Sequence, residues 1–138
     1  MKRFSLICLH GFLGSSEDMN DLFTPHLNTL SYDIVSIDIL SFYVENNART
    51  ITDLAFALKR HCDKNNISNP ILYGYSLGGR IAMQAIALFP NFFHGLIIES
   101  AHPGFLSSSD RLLSEKTAYS TYHTYNSMDI HSFLTKWY

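Results

Sequence analysis

Cysteine is scarce: Cys8 and Cys62 are the only two among 138 residues, and two lone thiols on separate segments make no disulfide framework. Charge is sparse and balanced, 10 basic residues against 12 acidic, so no basic excess points to nucleic acid or an anionic membrane surface as partner. No apolar run approaches the roughly 20 residues that cross a bilayer. The start, Met1-Lys2-Arg3, carries the charge of a secretory signal. Its apolar stretch, however, spans only Phe4–Leu9, and His10-Gly11 follows without a small-residue cleavage site. Repeats and low-complexity tracts are missing. These absences leave a cytoplasmic globular protein with one core as the expectation, and a 46% apolar composition is enough to build that core.

What is present alternates between two periodicities. Phe4–Leu9 reads as a buried strand. Ser15 and Asp18 open a helix carrying Met19, Leu22, Phe23, Leu27 and Leu30, interrupted at Pro25. Tyr32–Ile39 is a second expected strand. Thr50 or Thr52 caps a helix whose Ile51, Leu54, Ala55, Leu58 and Cys62 share a face. Ile71–Tyr75 is the third strand, Gly79–Phe89 a helix stopped by Pro90, and Gly95–Ser100 the fourth strand. Continuous apolar strands joined by helices imply a parallel sheet covered on both faces. Ligands of such sheets gather at the strands' carboxyl ends, where His10-Gly11, Asp38, Ser76 and Ser100-Ala101 fall. After Ala101 the pattern changes. His102-Pro103-Gly104 breaks it, and Ser107 to Asp110 starts a polar, aromatic segment expected to be helical and outside the sheet.

Gly74-Tyr75-Ser76-Leu77-Gly78 is an intact G-x-S-x-G elbow, placed between an expected strand and an expected helix. The turn is tight enough to require glycine two residues either side of the serine, and it lifts the hydroxyl clear of the sheet. A serine there serves as nucleophile or base only with an adjacent histidine, itself oriented by a carboxylate, and with donors for a developing oxyanion. His10-Gly11-Phe12-Leu13-Gly14, directly after the first strand, places the Phe12 amide opposite that of Leu77 as an expected oxyanion hole.

With these residues the chain resembles an α/β-hydrolase and, more narrowly, the MenH family, 2-succinyl-6-hydroxy-2,4-cyclohexadiene-1-carboxylate synthases. The resemblance rests on Leu9 to Ser15, on Gly74 to Arg80 and on Ile98 to Phe105. A closing tryptophan-tyrosine pair, Trp137-Tyr138, adds to it. It implies an α/β fold: a partial α/β-hydrolase with a parallel sheet of about four strands, helices on both faces and a helical cap. Residues 1–101 would form the amino-terminal part of the core and 102–138 the cap. By the same resemblance Ser76 drives a proton abstraction that eliminates pyruvate from a cyclohexene polycarboxylate, with Phe12 and Leu77 as oxyanion donors. Tyr75 shapes the pocket, Arg80 pairs with a substrate carboxylate, and Trp137 lies over the substrate. The partner implied is a small carboxylate substrate, with no cofactor, metal, nucleic acid or membrane.

The chain also departs from the family. The second strand leads into Asp38-Ile39-Leu40-Ser41-Phe42-Tyr43, where relatives carry D-x-x-G-x-G-x-S. Of the cap's R-x-x-R, Arg111 matches the first arginine and Ser114 replaces the second, leaving Arg111 or Lys116 to compensate. The triad acid and histidine follow two further strands beyond the cap in this fold, so a chain ending inside or just after the cap is expected to be carboxyl-terminally truncated and inactive. His94 stands at the wrong edge, His102 on the correct face, and His123 and His131 in the cap. Asp129 and His131, two apart, do not face each other on a helix.

Two rival readings remain. A carboxylic-ester or thioester hydrolase uses the same elbow and oxyanion turn. A non-catalytic remnant would act as an interaction module, its fourth strand an exposed edge prone to self-association.

Overall fold

A computed structural model describes residues 4–27 and 32–137, so Leu30 and Tyr138 of the expected motifs lie outside the described residues. Four strands, β1 (Phe4–Leu9), β2 (Tyr32–Ile37), β3 (Pro70–Tyr75) and β4 (Gly95–Glu99), form one parallel sheet in the order β2-β1-β3-β4. The helices are α1 (Ser16–Leu27), α2 (Ile39–Glu45), α3 (Ile51–Lys64), α4 (Leu77–Leu88), α5 (Ser108–Asn126) and α6 (Ile130–Trp137). The chain divides into two compact units, Met1–Pro103 and Gly104–Tyr138.

The sheet is covered on both faces because β1 alternates between two cores. Ile7 and Leu9 pack with Leu54, Leu58 and Cys62 of α3 and with Ile81, Ala82 and Ala85 of α4. Leu6 and Cys8 point the other way, to Met19 and Phe23 of α1 and to Tyr73 of β3. Burial pushes the Cys8 thiol up to about 12 and the Cys62 thiol up to about 11. The helix starts follow their capping residues. Ser15 and Asp18 exchange hydrogen bonds before α1, and Thr50, not Thr52, forms a capping box with Asp53 before α3. Pro25 does not interrupt α1, which continues to Leu27.

The expected second strand is corrected at its end. It stops at Ile37, and Asp38 accepts from the Ser41 amide at 2.9 Å to cap α2, turning Ile39 and Phe42 onto one buried helical face. Ile37 and Ile39, two apart, continue the alternation of a strand, which is why the run read as β to Ile39. That hydrogen bond holds the Asp38 carboxyl below the usual carboxylate range.

In the second unit α5 begins at the expected Ser107 cap, whose hydroxyl accepts from the Asp110 amide. The helix has no fully buried residue. Phe133 of α6 is buried, its ring edge-on to Tyr125 and stacked on Trp137.

Candidate active site

The carboxyl ends of β1, β3 and β4 meet at Ser76. The residue leaves β3 with φ 51° and ψ −110°, in the left-handed region that a serine rarely adopts. Such a conformation costs on the order of 1–3 kcal/mol and persists only where the surroundings fix it. Here they do. The Ser76 amide donates to the Glu99 carbonyl of β4 at 2.9 Å, and the Ser76 carbonyl accepts from Arg80 at 3.2 Å as α4 begins. The hydroxyl makes no cap bond to α4 and is left for other partners.

The turn is pressed against β1. The Gly78 amide donates to the His10 carbonyl at 3.1 Å. A Cβ on Gly78 would overlap the carbonyl oxygens of Leu9 and His10, so only glycine permits this approach. Gly79 is confined likewise: a Cβ there would stand 2.5 Å from that of Ala101, a contact the pentapeptide pattern alone does not reveal. On the other side, the turn after β1 lies over the elbow. A Cβ on Gly11 would fall 2.8 Å from the Tyr75 ring and 3.3 Å from the Ser76 Cβ.

Of the sequence-predicted residues, Tyr75, Ser76, Leu77 and Arg80 are consecutive with the elbow. Phe12 follows Gly11, which packs on Ser76, and its side chain is half exposed. Leu77 opens α4, where first-turn amides find no partner inside the helix and the macrodipole favours negative charge. Arg80 is exposed one turn further on. Arg111 on α5 and Trp137 on α6 belong to the second unit and are exposed there.

Two features escaped the sequence. His10 is buried with both ring nitrogens engaged, Nδ1 at 2.7 Å from the Gly11 carbonyl and Nε2 at 2.8 Å from the Ile39 amide. The histidine that opens H-G-x-x-G at the end of a buried strand was the available signal. Tyr73 donates to Glu99 Oε2 at 2.6 Å, and burial, followed by this hydrogen bond, pushes its phenol well above the usual tyrosine range. A cleft of about 510 Å³ bounded by Ser5, Asp33, His61 and Asn65 lies at the strands' amino ends, away from this chemistry. Among the described residues no group of three or more His, Cys, Asp or Glu is placed to hold a metal ion, and no helix is long and apolar enough to cross a membrane.

The family model of the alpha/beta hydrolase fold matches residues 5–126. The 2-succinyl-6-hydroxy-2,4-cyclohexadiene-1-carboxylate synthase of Pectobacterium atrosepticum is 33% identical over 112 residues, 77% of this chain and 42% of that protein. Its counterpart in Escherichia fergusonii is 27% identical over 135 residues, 96% of this chain and 52% of that protein. An uncharacterized hydrolase of Bacillus subtilis, YugF, is 26% identical over 130 residues, covering 89% of this chain and 45% of its own. Among solved structures, MenH from S. aureus superimposes with a TM-score of 0.72 at 23% identity, over 99% of this chain and 52% of that one. This chain therefore spans about half the length of the relatives it matches.

Proposed function

We propose that this chain, which belongs to the alpha/beta hydrolase fold family, carries the serine, oxyanion and carboxylate-binding half of a MenH-like lyase site. In this reading Ser76 is the base or nucleophile of a proton abstraction that eliminates pyruvate from a cyclohexene polycarboxylate. The amides of Phe12 and Leu77 hold the negative charge that develops. Arg80, one helical turn beyond the serine, takes a substrate carboxylate through its planar fork, and Tyr75 walls the pocket. Arg111 and Trp137 are proposed as further substrate-binding residues.

One observation supports this most: Gly11 packs on Ser76 while Gly78 bonds to His10, so the serine and the turn that bears Phe12 are held together. His10 is not the activating base, because both of its ring nitrogens are already engaged. The proposal assigns that base and its carboxylate to the half of the relatives' length that this chain does not match. The isolated chain is then catalytically silent.

An ester hydrolase would use the same elbow, and Arg80 is the residue that separates the two readings. The test is a nuclear magnetic resonance titration of the chain with tricarballylate, a simple tricarboxylate. Shifts centred on Arg80 and the Leu77 amide, weakened at least tenfold in Arg80→Ala, support the lyase reading. Binding unaffected by Arg80→Ala contradicts it. Pyruvate release by a full-length relative, compared with p-nitrophenyl ester hydrolysis, completes the comparison: ester turnover without pyruvate release favours the hydrolase.

A further inference from the structure

The buried histidine at the end of β1 has a consequence for the oxyanion turn. A backbone amide can only donate, so the Ile39 N–H, 2.8 Å from His10 Nε2, requires a lone pair on that nitrogen. A neutral imidazole then carries its proton on Nδ1, which donates to the Gly11 carbonyl at 2.7 Å. That carbonyl also accepts from the Gly14 amide at 3.1 Å, so two donors fix its direction. The Gly11 carbonyl and the Phe12 amide belong to one planar trans peptide unit and point in opposite directions. Whatever fixes the carbonyl therefore aims the amide.

We infer that His10 is a positioning residue: held as the Nδ1–H tautomer by the Ile39 amide, it orients the Gly11–Phe12 peptide, and the β2–α2 junction thereby sets the direction of the Phe12 N–H. The inference deepens the proposed function, on which its relevance to catalysis rests. It also gives the junction a task. Asp38 fixes Ile39 at the first position of α2 by capping the helix through Ser41, so the amide that reads His10 is supplied by a capped helix start. Asp38 itself is no competitor for the ring, since its Oδ2 stands 3.8 Å from Nε2, beyond hydrogen-bond reach.

Long-range proton–nitrogen spectra of the full chain labelled at histidine test this without reference to activity. At neutral pH His10 is expected to show a protonated Nδ1 and an unprotonated Nε2. The opposite tautomer, or an imidazolium, overturns the inference. A second readout is the Phe12 amide resonance. His10→Asn retains a donor near the Nδ1 position and is expected to keep the Phe12 and Gly14 amide shifts close to those of the unmodified chain, whereas His10→Ala moves both. An Asn variant that moves them as far as Ala does overturns the positioning role. If tricarballylate binding proves indifferent to Arg80→Ala while these signatures hold, the function reading fails and the positioning role stands.

Discussion

The amide of Gly78 donates to the carbonyl of His10 across 3.1 Å, joining the first turn of α4 to the end of β1. This bond ties the two halves of the candidate site, the elbow at Ser76 and the turn at Gly11-Phe12, into one rigid piece. It forms because Gly78 carries no side chain, whose Cβ would overlap the Leu9 and His10 carbonyl oxygens.

Gly78→Ala is expected to destabilise the fold by about 3 kcal/mol, the upper range for overpacking, because its Cβ would overlap two carbonyl oxygens that cannot move without breaking β1. Gly95→Ala is the control. Its Cβ would meet Ile71 no closer than 3.4 Å, so its stability should change by no more than about 1 kcal/mol. Urea unfolding of the two variants checks the contrast, and equal losses would contradict it.

Tyr73→Phe removes the donor to Glu99 and should cost about 1 kcal/mol, a modest value because Glu99 is exposed. The pH dependence follows from the direction of the shift. Tyr73 holds its proton more tightly folded than unfolded, so its contribution is complete below the ordinary tyrosine range and is lost as pH rises through the raised value. Phenolate absorbance should show one of the eight tyrosines ionising last, and that phase should vanish in Tyr73→Phe. A phase that survives the substitution would count against the assignment.

β4 is an edge strand of the sheet, and its Ile97 and Ile98 are 50% and 39% exposed. Edges of this kind pair with other chains. We propose self-association through this edge, and sedimentation should show it growing with concentration and falling in Ile97→Lys. A monomer at all concentrations would exclude it.

The parts legible in the sequence were those governed by local rules. All four strands were readable from apolar runs, and the starts of α1, α3 and α5 from Ser15, from Thr50 or Thr52, and from Ser107, because a cap is chosen by residues three apart. The elbow was legible because its pattern is contiguous and Gly74 answers to Gly78 and Gly79 within five residues, although Gly78 itself is held to glycine by the distant Leu9 and His10 carbonyls. What the sequence concealed depends on contacts between distant segments. The start of α2 was hidden because Ile39, two residues after Ile37, extends the strand's alternation until tertiary packing decides. His10 looked like one member of a turn motif, since its partner Ile39 lies 29 residues away. The Tyr73–Glu99 bond likewise needs β4 beside β3.

The central claim is that Ser76 is held in a catalytic geometry in this chain while its activating base lies elsewhere. Intact-mass spectrometry after exposure to a fluorophosphonate probe tests it most directly. The account expects slow, single-site labelling, mapped to Ser76, abolished in Ser76→Ala, and at least a hundredfold slower than for a complete serine hydrolase, since an adjacent base contributes about 10²–10⁴-fold. Labelling as fast as that of a complete enzyme, or labelling that persists in Ser76→Ala, would contradict it.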